Sequence, residues 1–473
     1  MLYVLLLLPD SKPPHPNGAG QQAFRWNRDA FWKELETKFR EARGLSAEER
    51  RIRFNAAWAG VQAAIAKISE TNLPPGSPAF DLVEASFFEV SPLAAVCPDR
   101  WPEFLSAAGQ LRQAVKWQSV SWPTNSPEVR QRIYRLLYGS RAAVEEVLLQ
   151  SAQSTNALES FEDPDMPATP SAVVHGLKLQ SGDILVSRGG TPVSALIARG
   201  NDFPGNFSHI ALVHVDEHTR QVSVIESHIE SGVGVRRIEQ YFADTKLRIM
   251  AVRPRRDLSA LVADPLLPHK AASLALSNAL AHHTPYDFAM DDADPARQFC
   301  SEVAAVVYQL QGVTLWANRS HLSTPGITSW LGALGVRNFQ GLQPSDLEYD
   351  PQLRVVAEWR DAETLFKDHV DNAVIDAMLE GADRGEELDY NPWMLPFARA
   401  AKAWSLMLNF LGKVGPIPEG MNATTALRVG RLKLAHTTLQ VQVLGSAAQF
   451  QAQHGYKPPY WELVRMAQEA KAR

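Results

Sequence analysis

The stretch of sequence that decides the fold is Phe207-Ser208-His209-Ile210-Ala211-Leu212-Val213. A short, mostly apolar run of this length is typical of a buried β-strand, which we predict over residues 207–215. A second strand is predicted over residues 222–229. The polar residues 216–220 between them indicate the turn of a β-hairpin.

Two polar side chains interrupt this apolar hairpin, His209 in the first strand and Glu226 in the second. A charged side chain in a buried strand requires a partner. One register of the hairpin places Glu226 directly opposite His209; another places His228 opposite and Glu226 on the diagonal. Both put Glu226 on the face of His209, because side chains alternate with period two, whereas a one-residue slip would set Ser227 opposite His209. We therefore prefer Glu226 to His228 as the partner of His209. The weaker candidates are Asp216 and Glu230.

Around the hairpin, the hydrophobic pattern predicts an α+β core over residues 173–360. Its further strands are predicted at 183–187, 233–236 and 247–252, and its helices at 193–199, 238–242, 269–282 and 301–311. From Val355 onward the pattern is again mostly helical. The predicted organisation is an irregular segment (1–25), a helical region (26–150), a linker rich in Ser, Asp and Pro (151–172), the core (173–360) and a C-terminal helical region (361–473).

The chain has two cysteines, Cys97 and Cys300, too few and too far apart in sequence for a disulfide framework or a zinc site. Cys97 is interpreted as a small buried residue. Cys300 directly precedes an apolar helix, where free backbone N–H groups and the helix dipole favour a thiolate and can hold an oxyanion. A thiolate nucleophile needs a base and a group that orients the base. His209 and Glu226 are the candidates for these two roles.

Four motifs follow one another in the chain: Gly182-Asp183-Ile184-Leu185-Val186, residues 207–213, Pro285-Tyr286-Asp287-Phe288, and Phe299-Cys300-Ser301-Glu302-Val303. Together they resemble the permuted papain-like amidase family, the YiiX-like branch of the NlpC cysteine-peptidase superfamily, in which histidine precedes cysteine. The resemblance covers about residues 178–360. Val303 departs mildly from the family, which often has a longer aliphatic residue there.

The resemblance implies a small antiparallel sheet or barrel packed on the cysteine-bearing helix and flanked by the two helical regions. It also implies Cys300 as nucleophile, His209 as base and Glu226 as the third catalytic residue. Tyr286, Asp287, Ser208 and Ser301 are the predicted substrate-binding residues, although Pro285-Tyr286-Asp287 is equally compatible with a simple turn.

The implied function is hydrolysis of an amide bond, in a peptidoglycan-type peptide or an N-acyl amino acid, without a cofactor. The same Cys/His pair is compatible with a thiol acyltransferase or a lipid esterase. An alternative of another class is a non-catalytic binding or assembly protein that makes its contacts through the helical flanks.

The charge composition of the chain limits the kinds of partner that it can attract. The chain carries 47 Lys or Arg and 52 Asp or Glu residues, a net charge of −5, so no basic field attracts nucleic acid. No metal is expected, because His209, His214 and His228 could meet only if loops rearranged.

The apolar run Leu2–Leu8 falls short of the roughly 20 residues that span a bilayer, and it lacks a basic flank. No complete signal peptide is therefore visible, both the cell envelope and the cytoplasm stay open, and membrane or cell-wall association is compatible with the sequence. Nothing in it indicates an oligomeric state.

Overall fold

The computed structural model describes residues 7–10, 24, 30–70, 72–150, 157–160 and 167–473. Most of the predicted irregular segment, including the first part of its apolar run, therefore lies outside the described residues. So do residues 151–156 and 161–166 of the predicted linker. None of the helices within the described ranges is both long enough and apolar enough to cross a membrane.

An antiparallel sheet forms the centre of the molecule. The strands in chain order are β1 (Ala157–Ser160), β2 (Ser171–Val174), β3 (Leu177–Gln180), β4 (Ile184–Gly189), β5 (His209–Val215), β6 (Val222–His228), β7 (Gly232–Arg237), β8 (Lys246–Pro254), β9 (Ser320–His321), β10 (Gln340–Gly341) and β11 (Leu353–Arg360). The central sheet has the order β1-β11-β8-β4-β5-β6-β7. The pairs β2-β3 and β9-β10 form two small separate sheets.

Helices flank this sheet on both sides in the sequence. The N-terminal ones are α1 (Ala30–Gly44), α2 (Ala47–Glu70), α3 (Pro78–Ala95), α4 (Trp101–Gln118) and α5 (Pro127–Gln150). Those of the core are α6 (Pro192–Arg199), α7 (Ile238–Ala243), α8 (Ser259–Ala263), α9 (Leu267–Ala281), α10 (Cys300–Leu310), α11 (Pro325–Ala333) and α12 (Asp346–Tyr349). The C-terminal ones are α13 (Ala362–Asp383), α14 (Leu395–Phe410), α15 (Ala423–His454) and α16 (Tyr460–Ala472). The predicted α+β class with helical flanks is confirmed.

Alternation along β5 explains how the sheet carries two cores. Ile210 and Leu212 share one hydrophobic cluster with Val303 and Val307 of α10. Ala211, between them in the sequence, belongs to a different cluster on the opposite face. This period of two is what an apolar strand covered on both faces produces. It places the helix that begins at Cys300 against the strand that begins at His209.

Buried ion pairs join the N-terminal helices to the core. Arg141 on α5 contacts Glu348 at 2.6 Å and Glu145 at 2.7 Å, and all three side chains are buried. Glu145 also accepts a hydrogen bond from Arg248 of β8 at 2.8 Å. Buried charges persist only when they are paired in this way. The N-terminal helical region is thus bound to the core by charge as well as by apolar packing.

The prediction that the chain is mostly helical from Val355 onward is wrong for residues 355–360, which belong to strand β11 between β1 and β8. Burial on both sides of the sheet removes the simple alternation that marks a half-exposed strand. The carboxylate of Glu358 in this strand is buried, 3.2 Å from Arg112 and 2.8 Å from Arg360. Strand β1, which pairs with β11, lies within the segment predicted as a linker.

Candidate active site

The register of the β5–β6 hairpin decides which groups meet His209. Ala211 pairs with Glu226 and Leu212 with Ile225, and extending this register places His228 opposite His209. The rings of His209 and His228 have their centroids 5.0 Å apart. Of the two registers that the sequence allowed, the one with Glu226 on the diagonal is therefore observed. The one with Glu226 directly opposite is wrong.

Glu226 lies at the centre of the hairpin's polar cluster and is fully buried. Its Oε2 lies 2.6 Å from Nε2 of His209, and its Oε1 lies 2.9 Å from Nε2 of His228 and 3.5 Å from Nε of Arg236. Burial alone would raise the pKa of this carboxyl group, but the two neighbouring imidazoles outweigh burial and hold the pKa far below its ordinary value. Glu226 is therefore a carboxylate at neutral pH.

His209 is a neutral imidazole, with a single ring proton, in this setting. Burial lowers the pKa of His209 below its ordinary value, and the hydrogen bond to Glu226 offsets only part of that effect. An ionised carboxylate only accepts hydrogen bonds, so the single ring proton of the neutral imidazole belongs on Nε2, facing Glu226. This leaves the lone pair of Nδ1 free to accept a proton.

Cys300 is the first residue of α10 and is buried. Its Sγ donates a hydrogen bond to the carbonyl oxygen of Ser208 at 4.0 Å rather than to the ring of His209. Burial raises the pKa of the thiol to about 11, although the backbone N–H groups of Ile210 and Ser301 lower it in part. The resting group is thus a neutral thiol. The sequence predicted that the helix N-terminus would favour a thiolate, but the loss of solvation on burial raises the pKa of the thiol by more than the helix N-terminus lowers it.

Glu302 acts as a local cap at the start of α10. Its Oε2 accepts a hydrogen bond from the backbone N–H of Phe299 at 2.7 Å, because Phe299 precedes the helix and has no polar side chain of its own. Burial raises the pKa of Glu302 to about 8, and the negative charge of Asp287 adds to that shift. The cap fixes the turn from which Cys300 projects.

The loop that carries Tyr286 and Asp287 lies beside the thiol. The buried carboxylate of Asp287 accepts hydrogen bonds from the backbone N–H groups of Ala289 at 2.8 Å and Asp291 at 2.5 Å, which supports the turn interpretation for this residue. Burial raises the pKa of Tyr286 well above its ordinary value, and the charge of an ionised Cys300 would raise it further. The carbonyl oxygen of Pro285 accepts a hydrogen bond from the backbone N–H of Gln298 at 3.0 Å, two residues before Cys300, which holds this loop near the thiol.

The two predicted serines have different surroundings. The hydroxyl of Ser208 lies 2.5 Å from that of Ser194, in the segment of α6 next to β5. Ser301 is fully buried at the start of α10, and its hydroxyl lowers the pKa of Cys300. Substrate binding by Ser208, Ser301, Tyr286 and Asp287 stays a prediction.

Arg236 is a member of the cluster that the sequence reading missed. It lies on β7, where Gly234 pairs with Glu226, so that Arg236 is two residues further along on the same face. The signal was available, because residues 233–236 had been predicted as a strand and period two places 234 and 236 together. The missing information was that β7 pairs with β6.

Three side chains of this cluster have the arrangement of a metal site. The ligand atoms of His209, Glu226 and His228 all lie within 4.8 Å of one another. Oε1 of Glu226 and Nε2 of His228 are buried and face each other without hydrogen-bond geometry, which leaves both electron-pair donors unsatisfied. Two imidazoles and a carboxylate are a typical zinc set. His214, the third histidine considered from the sequence, is not part of this group, because its ring lies against that of His269 with the centroids 5.4 Å apart.

Part of the chain matches a known protein family. Residues 178–357 match the family of permuted papain-like amidase enzymes, YaeF/YiiX, C92 family. The hairpin that bears histidine precedes the helix that bears cysteine, as the permuted order of that family requires. This part of the chain is a permuted papain-like domain of the C92 family, which confirms the resemblance found in the sequence. The family consists of hydrolases of the amidase type.

The crystal structure of metalloprotein yiiX from Escherichia coli O157:H7 is similar to part of the chain. The two are 22% identical, the match covers 38% of this chain and 98% of that chain, and the TM-score is 0.31. No functionally curated protein sequence matches the chain.

Proposed function

We propose that the domain is a cysteine amidase that cleaves a peptidoglycan-type peptide or an N-acyl amino acid through an acyl-enzyme on Cys300. The observation that carries this proposal is the contact of Sγ with the backbone of Ser208 and Ile210, the two residues that flank His209, whose Nε2 is held by Glu226. Membership of an amidase family supports the hydrolase class.

The protonation states define the first step. Sγ starts as a neutral thiol and His209 as a neutral base. Sγ turns from the carbonyl of Ser208 toward Nδ1, gives up its proton there and bonds to the substrate carbonyl carbon. Glu226 keeps the ring oriented and stabilises the imidazolium that forms. Nδ1 then returns the proton to the leaving nitrogen as the C–N bond breaks. Water, deprotonated by His209, then adds to the thioester carbonyl carbon, and the imidazolium returns that proton to Sγ as the C–S bond breaks and the acid leaves.

The start of α10 can stabilise the negative oxygen of the tetrahedral intermediate. The backbone N–H groups of Cys300 and Ser301 are close enough to Sγ to lower the pKa of the thiol. A carbonyl carbon bonded to Sγ brings its oxygen near the same groups. Donors held in place at a helix N-terminus are the usual elements of an oxyanion hole.

An acyl-electrophile probe tests the nucleophile. We expect wild type and Cys97→Ala, the matched control, to be labelled, Cys300→Ala to be unlabelled, and His209→Ala to be labelled far more slowly. Labelling that persists in Cys300→Ala, or that is absent from all four proteins, contradicts the proposal. Hydrolysis assays with muropeptides, N-acyl amino acids and lipid esters then separate the amidase from a lipid esterase.

A second candidate is a metal-dependent hydrolase, favoured by the unsatisfied donors of Glu226 and His228. His209, Glu226 and His228 would hold a divalent cation, which supplies a Lewis acid to activate water. A ring nitrogen of His209 bound to metal leaves the ring proton on the other nitrogen. His209 would then no longer serve as the base for Cys300, so the two candidate functions exclude each other at this residue.

Metal analysis separates the two candidates. Metal content of the purified protein is measured for wild type and His228→Ala, and hydrolysis is measured with and without a chelator. The cysteine mechanism predicts that chelation leaves hydrolysis unchanged or raises it, and that His228→Ala remains labelled at Cys300. Bound zinc in wild type, lost together with hydrolysis in His228→Ala and on chelation, supports the metal-dependent reaction.

A further inference from the structure

Helix α14, in the C-terminal helical region, exposes an unusual amount of apolar surface. Among the large apolar side chains that the structure describes as exposed, many fall in one short segment, whereas the others are scattered. We call this segment's surface the α14 face; it comprises Trp393, Met394, Phe397, Trp404, Leu406, Met407, Phe410, Leu411 and Val414. Phe410 is 90% exposed and Phe397 67%. Contiguous exposed apolar surface of this kind marks an interaction site.

The width of the α14 face argues against a partner helix. At 3.6 residues per turn, its side chains within the helix cover about 180° of the helix circumference, from Phe397 to Leu406. A helix that packs on a protein buries a stripe of roughly 100°. The side of α14 that packs on this protein is narrower, with Leu395, Ala398 and Ser405 buried. A fluid apolar phase can cover the wider arc, whereas one neighbouring helix cannot.

The charge of the same region selects an anionic partner. The segment of the α14 face, residues 393–414, has three Lys or Arg residues and no acidic residue, in a protein whose net charge is −5. Two acidic residues adjoin it and both are paired, Asp10 with Arg399 at 3.3 Å and Glu419 with His283 at 2.8 Å. Basic charge combined with exposed Trp, Phe and Leu is the composition of helices that lie in the plane of an anionic membrane surface.

The length of α14 fits an orientation parallel to the membrane. Its 16 residues extend about 24 Å, less than the roughly 30 Å of a bilayer's hydrocarbon core. One side of α14 is also committed to contacts with α15. The remaining arc is the part that a lipid surface would bury.

The α14 face is rigidly connected to the candidate active site. Lys402 of α14 donates hydrogen bonds to the carbonyl oxygens of Pro418 at 2.7 Å and Glu419 at 2.6 Å in the connection to α15. The next residue, Gly420, packs so tightly on the active-site loop that a Cβ atom would lie 2.7 Å from the ring of Phe288 and 3.1 Å from the carbonyl oxygen of Tyr286. A surface that binds α14 is therefore held next to the loop that borders Cys300.

We propose that the α14 face adsorbs to the surface of an anionic lipid bilayer and holds the Cys300 site beside it. The proposal concerns binding and is independent of the hydrolytic activity proposed above.

Vesicle sedimentation tests the proposal with the full-length protein. We expect wild type to bind vesicles of phosphatidylcholine mixed with phosphatidylglycerol, and to bind less as salt is raised or phosphatidylglycerol omitted. The double variant Phe397→Ser/Trp404→Ser should lose at least about tenfold in partitioning. The matched control Val262→Ser/Leu280→Ser changes two exposed apolar residues elsewhere and should bind as wild type does.

Three results would overturn the proposal. One is the absence of wild-type binding to either kind of vesicle. Another is equal binding by wild type and the Phe397→Ser/Trp404→Ser variant. The third is a wild-type oligomer, measured by light scattering, that this variant dissociates while vesicle binding is absent, which would make the α14 face an interface between proteins. Circular dichroism spectra of both double variants show whether α14 stays folded.

Discussion

At the scale of single residues, Glu226 connects the site's geometry to its electrostatics. Its carboxylate is buried, ionised and within hydrogen-bonding distance of His209. Glu226→Gln keeps an acceptor for Nε2–H but removes the charge that stabilises an imidazolium. We expect the single-turnover rate of Cys300 acylation to fall about 100-fold or more, while binding of a non-reactive substrate analogue changes little. Asp216→Asn, on the exposed hairpin turn, is the control. An unchanged rate in Glu226→Gln would remove Glu226 from the mechanism.

The pH dependence of thiol chemistry follows from the two shifted groups. The pKa of His209 is lowered and that of Cys300 is raised to about 11. Alkylation of Cys300 by iodoacetamide should therefore rise in two stages, first as His209 becomes a neutral base below its ordinary pKa, then as the thiol itself ionises toward pH 11. His209→Ala should keep the alkaline stage and lose the acidic one. A single stage near the ordinary thiol pKa in the folded protein would contradict this assignment.

Lys116 makes stability depend on pH in the opposite sense from a salt-bridged lysine. It is buried, its Nζ donates to the carbonyl oxygen of Glu348 at 2.7 Å, and burial lowers its pKa to about 7. Between pH 7 and its unfolded pKa of about 10.4, the unfolded chain binds more protons, so this residue makes the free energy of unfolding rise with pH. We expect Lys116→Met to flatten that rise in urea titrations at pH 7 and 9. An identical slope in wild type and variant would show that Lys116 is charged in the folded protein.

At the scale of elements, α5 offers a matched comparison of buried and exposed ion pairs. Arg141 is buried between Glu145 and Glu348, whereas the pair between Arg132 and Asp81 is at the surface. Arg141→Met leaves the buried carboxylate of Glu348 without its cationic partner, whereas Glu145 keeps Arg248, and should lower the free energy of unfolding by about 3–5 kcal/mol. Arg132→Met should change it by less than about 1 kcal/mol. Urea denaturation measures both, and equal effects would mean that the network contributes little.

The strands and helices also show which features of the fold can be predicted from the sequence. The apolar runs and their breaks predicted the hairpin and the helix at Cys300, because both patterns depend on local periodicity. They left the register open between Glu226 and His228, since the turn centre depends on contacts of residues 216–220 that composition does not specify. Strand β11 was missed because Glu358 owes its burial to Arg112, which lies 246 residues away in the chain. Desolvation of Cys300 was missed because it results from packing against residues that are distant in the chain. The helix dipole, in contrast, follows from the local sequence.

At the scale of the whole molecule, the core should depend on its flanks. Arg248 of the core pairs with Glu145 on one side and Asp368 on the other. A fragment of residues 173–360 separates Arg248 from both of these carboxylates and Glu348 from Arg141. It also separates Glu358 from Arg112 and leaves it with Arg360. We expect the isolated fragment to lack the near-ultraviolet circular dichroism and cooperative unfolding of the full chain. A fragment that unfolds cooperatively would show that residues 173–360 are an independent domain.

The buried pairs of Arg112 and Arg141 also have a consequence for the order of events on the ribosome. Arg141 is made 207 residues before Glu348, and Arg112 is made 246 residues before Glu358. At roughly 5–20 residues per second, each waits about 10–50 s for its carboxylate. During that interval Glu348 and Glu358 have not yet been synthesised, so these two ion pairs cannot form. Their final packing is therefore a late event, completed only after the segment that holds Cys300 has left the ribosome.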